Sequence, residues 1–181
     1  ERAPFIERMT SPESGVLLTL QSGELCRYEL KNGRLIRTAS HDVRGIRDIA
    51  AGSDKIYTLG GDGSVSVYST GFEGGNEIVA SASSSDGFFR AQSNISTRKS
   101  ALMVSDFGND RVVKISDKGF ETVDYDFIQP MSAVTDNLGN VYVAHNMDNI
   151  AVFDHDLAIK RTVVLQGAII DDLKFDPLNN L

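Results

Sequence analysis

Three histidines and a single cysteine make a sparse reactive inventory for a 181-residue chain. His145 is the most suggestive of them, because it ends the apolar run Val141-Tyr-Val-Ala144. Its near-neutral titration would suit a metal ligand or a base, yet the expected reading is an exposed loop histidine. His41 and His155 lie in polar, turn-like stretches. Cys26 alternates with Leu25 and Arg27 and reads as a buried core thiol; being alone, it can form neither an intrachain disulfide nor a thiolate metal cluster. Asp106, Asp110, Asp148, Asp154, Asp156, Asp171 and Asp172 offer oxygen ligands for Ca²⁺. None opens an Asp-x-Asp-x-Asp-Gly loop with a downstream Glu, and hairpin turns account for aspartates of this kind. Serine hydrolysis has no support, since no Ser stands in a Gly-x-Ser-x-Gly elbow. Gly60-Gly-Asp-Gly63 could cradle a phosphate only if it led from a strand into a helix. It joins two strand-like runs and reads as a hairpin turn, where Gly and Asp supply positive φ. Asn94-Ile-Ser96 is a sequon for N-glycosylation, and the serine run 81–85 is a loop and a candidate phosphorylation target.

Charge narrows the partners. Lys and Arg total 18 against 25 Asp and Glu, a net charge of −7, with a pI near 4.9. A phosphate-backbone binder needs a dense basic surface, so no nucleic-acid partner is expected. Arg44, Arg47, Arg90, Arg98 and Lys99 come nearest to a basic cluster, suited to an acidic peptide of a partner or to plain solvation. The apolar content of 41% and charged content of 24% are those of a globular chain. No apolar run approaches the roughly 18 residues of a transmembrane helix, and the first eight residues lack the apolar centre of a signal peptide, so no membrane contact is expected. The compartment stays open, with a lean to the cell interior.

The elements that must position these residues come as a repeat. Four segments share an apolar strand, a turn rich in Gly, Asn or Asp, and a second strand: Gly15–Leu20 with Leu25–Tyr28, Lys55–Leu59 with Val65–Tyr68, Ala101–Ser105 with Val112–Ile115, and Val141–Ala144 with Ile150–Phe153. Anchored on Leu25, Val65, Val112 and Ile150, the offsets are 40, 47 and 38 residues, a period that suits four-stranded propeller blades. Flanking strands complete each unit. Phe5–Met9, Ile46–Ala50, Phe88–Ala91 and Ser132–Thr135 precede the pairs, while Arg34–Thr38, Glu77–Ala80, Gly119–Val123 and Arg161–Leu165 follow them. Runs rich in Val, Ile, Thr, Tyr and Phe between Gly/Asp/Asn/Ser clusters are the mark of strands. Asp156–Lys160 could make one helical turn, but the repeat places it in a hairpin loop. After Leu165, the stretch Ile169–Asp176 reads as the first strand of a fifth blade, Asp176 following Asp136 by 40 residues, with Pro177–Asn180 as its turn.

The segment Pro130-Met-Ser-Ala-Val-Thr-Asp136, continuing through Gly139-Asn140-Val-Tyr-Val-Ala144 to Ile150-Ala-Val-Phe153-Asp154, resembles an NHL-type blade or one of the lactonase-like propellers. WD40 repeats are the near relatives, although the chain has no Trp and carries Tyr28-Glu29, Tyr68-Ser69 and Ile115-Ser116 where the Trp-Asp pair would fall. The resemblance implies an all-β propeller with blades at about 5–43, 44–86, 87–127 and 128–166 and a partial blade at 167–181. The expectation is a piece of a larger ring of six to eight blades, against a four-bladed ring with a C-terminal extension.

The function expected is a non-catalytic scaffold that binds a protein or peptide on one rim, with no cofactor and no resident metal. That rim would carry 21–24, 60–63, 107–110 and 145–148, flanked by 40–44, 83–86 and 124–129. Its candidate contacts are Arg44, Asp62, Phe107, Asn109, Asp110, His145 and Asn146. Phe107 is either an exposed anchor or packing between blades. The rival is a metal-assisted hydrolase or lactonase, which the resemblance would supply with a divalent cation held by Glu, Asn and Asp side chains of several blades. Glu7, Glu13, Asn94, Asn109 and Asn146 are the residues available for it.

Overall fold

The computed structural model describes residues 6–11, 16–21, 23–52, 54–72, 77–80, 89–90, 93–98, 101–176 and 178–181, without the side chains of 6, 17 and 77–80. Glu13, Lys99 and the 81–87 run lie outside them. Apart from one 3-10 turn at Phe107–Asn109, every regular element among the described residues is a strand. The chain divides into two compact units, Glu1–Phe88 and Phe89–Leu181.

The first unit holds two sheets. One is built from β1 (Ile6–Thr10), β2 (Val16–Gln21), β3 (Glu24–Lys31) and β4 (Arg34–Asp42), the other from β5 (Ile46–Ala51), β6 (Lys55–Gly60), β7 (Val65–Ser69) and β8 (Glu77–Ala80). The second unit repeats the plan with β9 (Asn94–Arg98), β10 (Ala101–Asp106), β11 (Arg111–Ser116) and β12 (Gly119–Thr122), then β13 (Ser132–Thr135), β14 (Val141–His145), β15 (Asn149–Phe153) and β16 (Ile159–Val164). Each sheet is an antiparallel meander in which strand order follows chain order.

Strand parity explains how each unit closes. Side chains alternate between the faces of a strand, so β14 sends Val141 and Val143 one way and Tyr142 and Ala144 the other. Val141 and Val143 join Ala151 and Phe153 of β15 against Met103 and Val112, from β10 and β11, in one buried cluster. Tyr142, Ala144, Ile150 and Val152 face Ile170, Leu173 and Phe175 on the opposite side. In the first unit Leu18, Leu20 and Leu25 meet Ile49 and Ile56 in the same manner. The fourth strands are the outer ones: most of β4 and β16 is exposed, and Arg34, Arg37, Lys160 and Arg161 make them poor edges for aggregation.

Two expectations need revision. Of the strand expected at 88–91, Phe88 and Ala91 lie outside the described residues and Phe89 and Arg90 are not in a strand; the first strand of this sheet is β9, Asn94–Arg98, pairing Asn94 with Ser105 and Arg98 with Ala101. Ser93 donates its N–H to the Arg90 carbonyl at 3.3 Å, while its single hydroxyl proton is shared between that carbonyl and the Asp106 carboxylate. The paired phenylalanines misled because Phe89 is buried as an anchor ahead of the strand, with the Arg111 guanidinium 5.6 Å from its ring centre. Second, residues 169–176 form no strand ladder. They cover the open face of the β13–β16 sheet through Ile170 and Leu173. The turn that follows repeats the one between β13 and β14. The Asp136 N–H donates to the Asn140 carbonyl at 2.9 Å, and its carboxylate accepts the Asn140 N–H and side-chain amide. Asp176 and Asn180 make the same three bonds 40 residues later. Burial works against ionisation of Asp136, but these donors outweigh it and hold its carboxyl below the ordinary range.

Candidate functional site

In a four-stranded meander, the turn between the second and third strands and the connector to the next sheet emerge at the same end. Main-chain hydrogen bonds stitch these loops together in both units. In the first, the Val43 N–H donates to the Gly23 carbonyl at 2.9 Å and the Gly61 N–H to the Gly45 carbonyl at 2.7 Å. A Cβ on Gly61 would stand 3.3 Å from the Gly45 oxygen, so this approach suits glycine. In the second, the Gln129 N–H donates to the Asp110 carboxylate at 2.7 Å, the Asn146 N–H to the Ile128 carbonyl at 2.7 Å, and the Ile170 N–H to the Met147 carbonyl at 2.8 Å. The expected rim is therefore built, in each unit, by bonded loops.

Arg44 and Asp62 belong to the first unit and are exposed. Arg44 pairs with Asp42 at 3.3 Å, and Asp62 accepts the N–H and hydroxyl of Ser64, closing its turn. Those donors hold the Asp62 carboxyl below its usual range. The other five candidates belong to the second unit. Phe107 is half-buried in the 3-10 turn. Asn109 donates its side-chain amide to Asp106 at 2.7 Å. Asp110, at φ 50°, is the acceptor for Gln129. Asn146 is exposed at φ 48°.

His145 overturns its expectation. It is 5% exposed, with the rings of Tyr125 and Phe127 edge-on at 5.5 Å each. Parity dictates this, because His145 follows Val141 and Val143 onto the face that packs against the neighbouring sheet. Neither ring nitrogen has a hydrogen-bond partner among the described residues, and burial pushes its pKa below 6.5. The unfolded chain therefore takes up a proton near pH 6.5 while the folded ring stays neutral. Stability contributed in this way is intact above that pH and falls as the pH drops, by up to about 1.4 kcal/mol per pH unit until the folded ring also titrates. Urea titrations of wild type and His145→Phe from pH 7.5 down to 5 should show the gap shifting in favour of the variant; parallel profiles would exclude the effect.

No protein-family model matches the sequence, and no curated protein is similar to it in sequence. Solved structures do match. The WD40 β-propeller domain of Doa1 superposes with a TM-score of 0.69 at 7% identity, covering 92% of this chain and 56% of that one. A chain of the nidogen/laminin complex gives 0.68 at 19% identity over 90% of this chain and 66% of that one. KlHsv2 with its loop 6CD replaced by a Gly-Ser linker gives 0.68 at 11% identity over 98% and 57%. The chain is a β-propeller repeat protein. It spans between 56% and 66% of the length of these propeller chains.

Seen as blades, the rim of the second unit has an apolar content that the sequence reading missed. Ile128, Met147 and Ile169 are 54%, 63% and 76% exposed, and each either makes one of the rim hydrogen bonds or adjoins a residue that does. Their signal was an apolar residue inside a polar turn, clearest at Met147, held at φ 67°. Asn94 donates its amide to the Met131 carbonyl at 2.7 Å, Asn109 is bound to Asp106, and among the described residues no three His, Cys, Asp or Glu side chains converge. Cys26 is fully buried, and burial raises its pKa, as a core thiol requires. Of the basic residues, Arg98 lies 5.6 Å from the Phe175 ring centre and is bonded to Asn137. The sequon residue Asn94 sits in β9 with its amide engaged, so Asn94→Ala should cost about 1 kcal/mol in urea unfolding. The folded chain should also resist glycosylation at Asn94 by an oligosaccharyltransferase in vitro; a modified folded chain would refute this.

Proposed function

We propose that this propeller is a non-catalytic interaction platform and that the rim of its second unit binds a protein or peptide. The observation that carries the reading is the trio Ile128, Met147 and Ile169, held exposed on loops bonded to one another. Apolar side chains on hydrogen-bonded loops offer a partner a surface whose ordering cost is already met, and contiguous exposed apolar area marks interaction sites. Asp110 and Asn146 keep a role as polar neighbours, while His145 supports the loops from beneath. Residues 167–181 are read as the opening of a further blade, on the strength of the Asp176–Asn180 turn.

Selection of displayed peptides on the immobilised chain tests the platform. Wild type should enrich a convergent set, and the triple variant Ile128→Ser, Met147→Ser, Ile169→Ser should bind that set at least about tenfold more weakly, a loss of roughly 1.4 kcal/mol. The three side chains are exposed, so the variant should melt like wild type. No enrichment, or binding indifferent to the triple substitution, would remove the reading.

A further inference from the structure

Resting on that platform reading, we infer that the occupant of the second unit's rim is a peptide whose apolar anchor is flanked by lysine or arginine. The loops that make this rim are 107–110, 124–130, 145–148 and 165–172. They contain Asp110, Asp124, Asp126, Asp148, Asp171 and Asp172 and not one lysine or arginine. Five of these aspartates are exposed and Asp148 is half-buried. Ile128 follows Asp124 and Asp126 within one loop, Met147 precedes Asp148, and Ile169 precedes Asp171, so every exposed apolar side chain of the trio has a carboxylate within four residues.

Basic groups bordering the rim are already committed. Lys174 pairs with Asp172 at 3.2 Å, Arg111 with Asp106 at 2.8 Å, and Arg90 donates to the Gly108 carbonyl at 3.2 Å. The corresponding loops of the first unit have a different character, with Arg44 and Arg47 exposed and no large apolar side chain among the described residues exposed at 40–47 or 60–64. Among the described residues of these loops, apolar surface and one sign of charge thus coincide in the second unit. A partner would bury its anchor on the trio and set its cations over the aspartates of the same loops. Exposed pairs of this kind add little each, so the charge acts chiefly on partner choice and association rate. Acidic flanks would be rejected by like-charge contact.

The test reads composition and salt dependence from the same displayed-peptide selection. The enriched set should place Lys or Arg on either side of an apolar anchor. The best member, made synthetically, should bind at least about fivefold more weakly to the Asp124→Asn, Asp126→Asn, Asp171→Asn variant, and its affinity should fall as NaCl rises. Enrichment that depends on the trio but favours neutral or acidic flanks would overturn the charge assignment and leave the platform standing. Enrichment indifferent to the trio would take down both. Light scattering of the chain alone supplies a further outcome. Self-association abolished by the triple apolar variant would make a second copy the occupant and overturn the peptide assignment.

Discussion

Phe153→Ala is expected to destabilise the 89–181 unit by about 4 kcal/mol, which would remove much of what a domain of this size possesses. Phe153 is fully buried and ranks first by volume among the side chains so buried. It sits on β15 opposite Val141, in the cluster that joins its own sheet to Met103 and Val112 of the preceding one. Its ring lies 5.5 Å from Tyr125, nearly perpendicular, and 5.8 Å from Phe127. Truncation therefore loses the transfer free energy of a benzyl group and leaves a void walled by two sheets that cannot both close on it. The aromatic contacts add about 0.5–1.5 kcal/mol beyond area. Because the chain has no tryptophan, urea unfolding followed by tyrosine emission and circular dichroism is the measurement. Phe153→Leu, which keeps most of the volume, should cost less than half as much. A loss below about 1 kcal/mol for alanine would mean that the two sheets do not share this core.

Asp106→Ala should cost about 3 kcal/mol, through polar chemistry rather than volume. The Asp106 carboxylate is wholly buried and accepts four hydrogen bonds. One oxygen takes the Arg90 N–H at 3.0 Å and the Ser93 hydroxyl at 3.1 Å. The other takes the Asn109 amide at 2.7 Å and the Arg111 guanidinium at 2.8 Å. Removing it leaves these donors without their acceptor around a cavity, and the partly exposed side chains of Asn109 and Arg111 recover some of the loss from water. Asp106→Asn should fall between the two, since its amide keeps an acceptor for the first pair but turns an N–H₂ toward the donors of the second. The Arg90 amide should exchange faster in both variants. An unchanged exchange rate with unchanged stability would show that Asp106 does not hold Arg90 and Ser93 in place.

Much of the architecture was legible from residue types alone. The repeat period, the turn at Gly60–Gly63 and nearly all of the sixteen described strands follow from alternation and turn chemistry, both local. At Phe89 and Arg90 the strand reading failed for the same reason: two adjacent phenylalanines carry a strand's composition, while the buried Asp106 that claims Arg90 and Ser93 is more than ten residues away. The functional candidates divide in a similar way. Asp62, Asn109 and Asp110 were found because turns demand such residues, and the structure shows that demand being met by bonds within the chain.

What the sequence determined by itself is the β-propeller pattern, because strand period, turn residues and repeat length are written in neighbouring positions. Only the tertiary structure decided the fate of His145 and the exposure of Ile128, Met147 and Ile169. The histidine's parity with Val141 and Val143 shows that it shares a face with them; whether that face meets solvent or a second sheet depends on residues such as Tyr125 and Phe127, which a local pattern does not place. Likewise an isoleucine in a loop is core or surface according to which chain crosses above it. At 128, 147 and 169 the hydrogen-bonded loops hold the backbones together and leave the side chains in water.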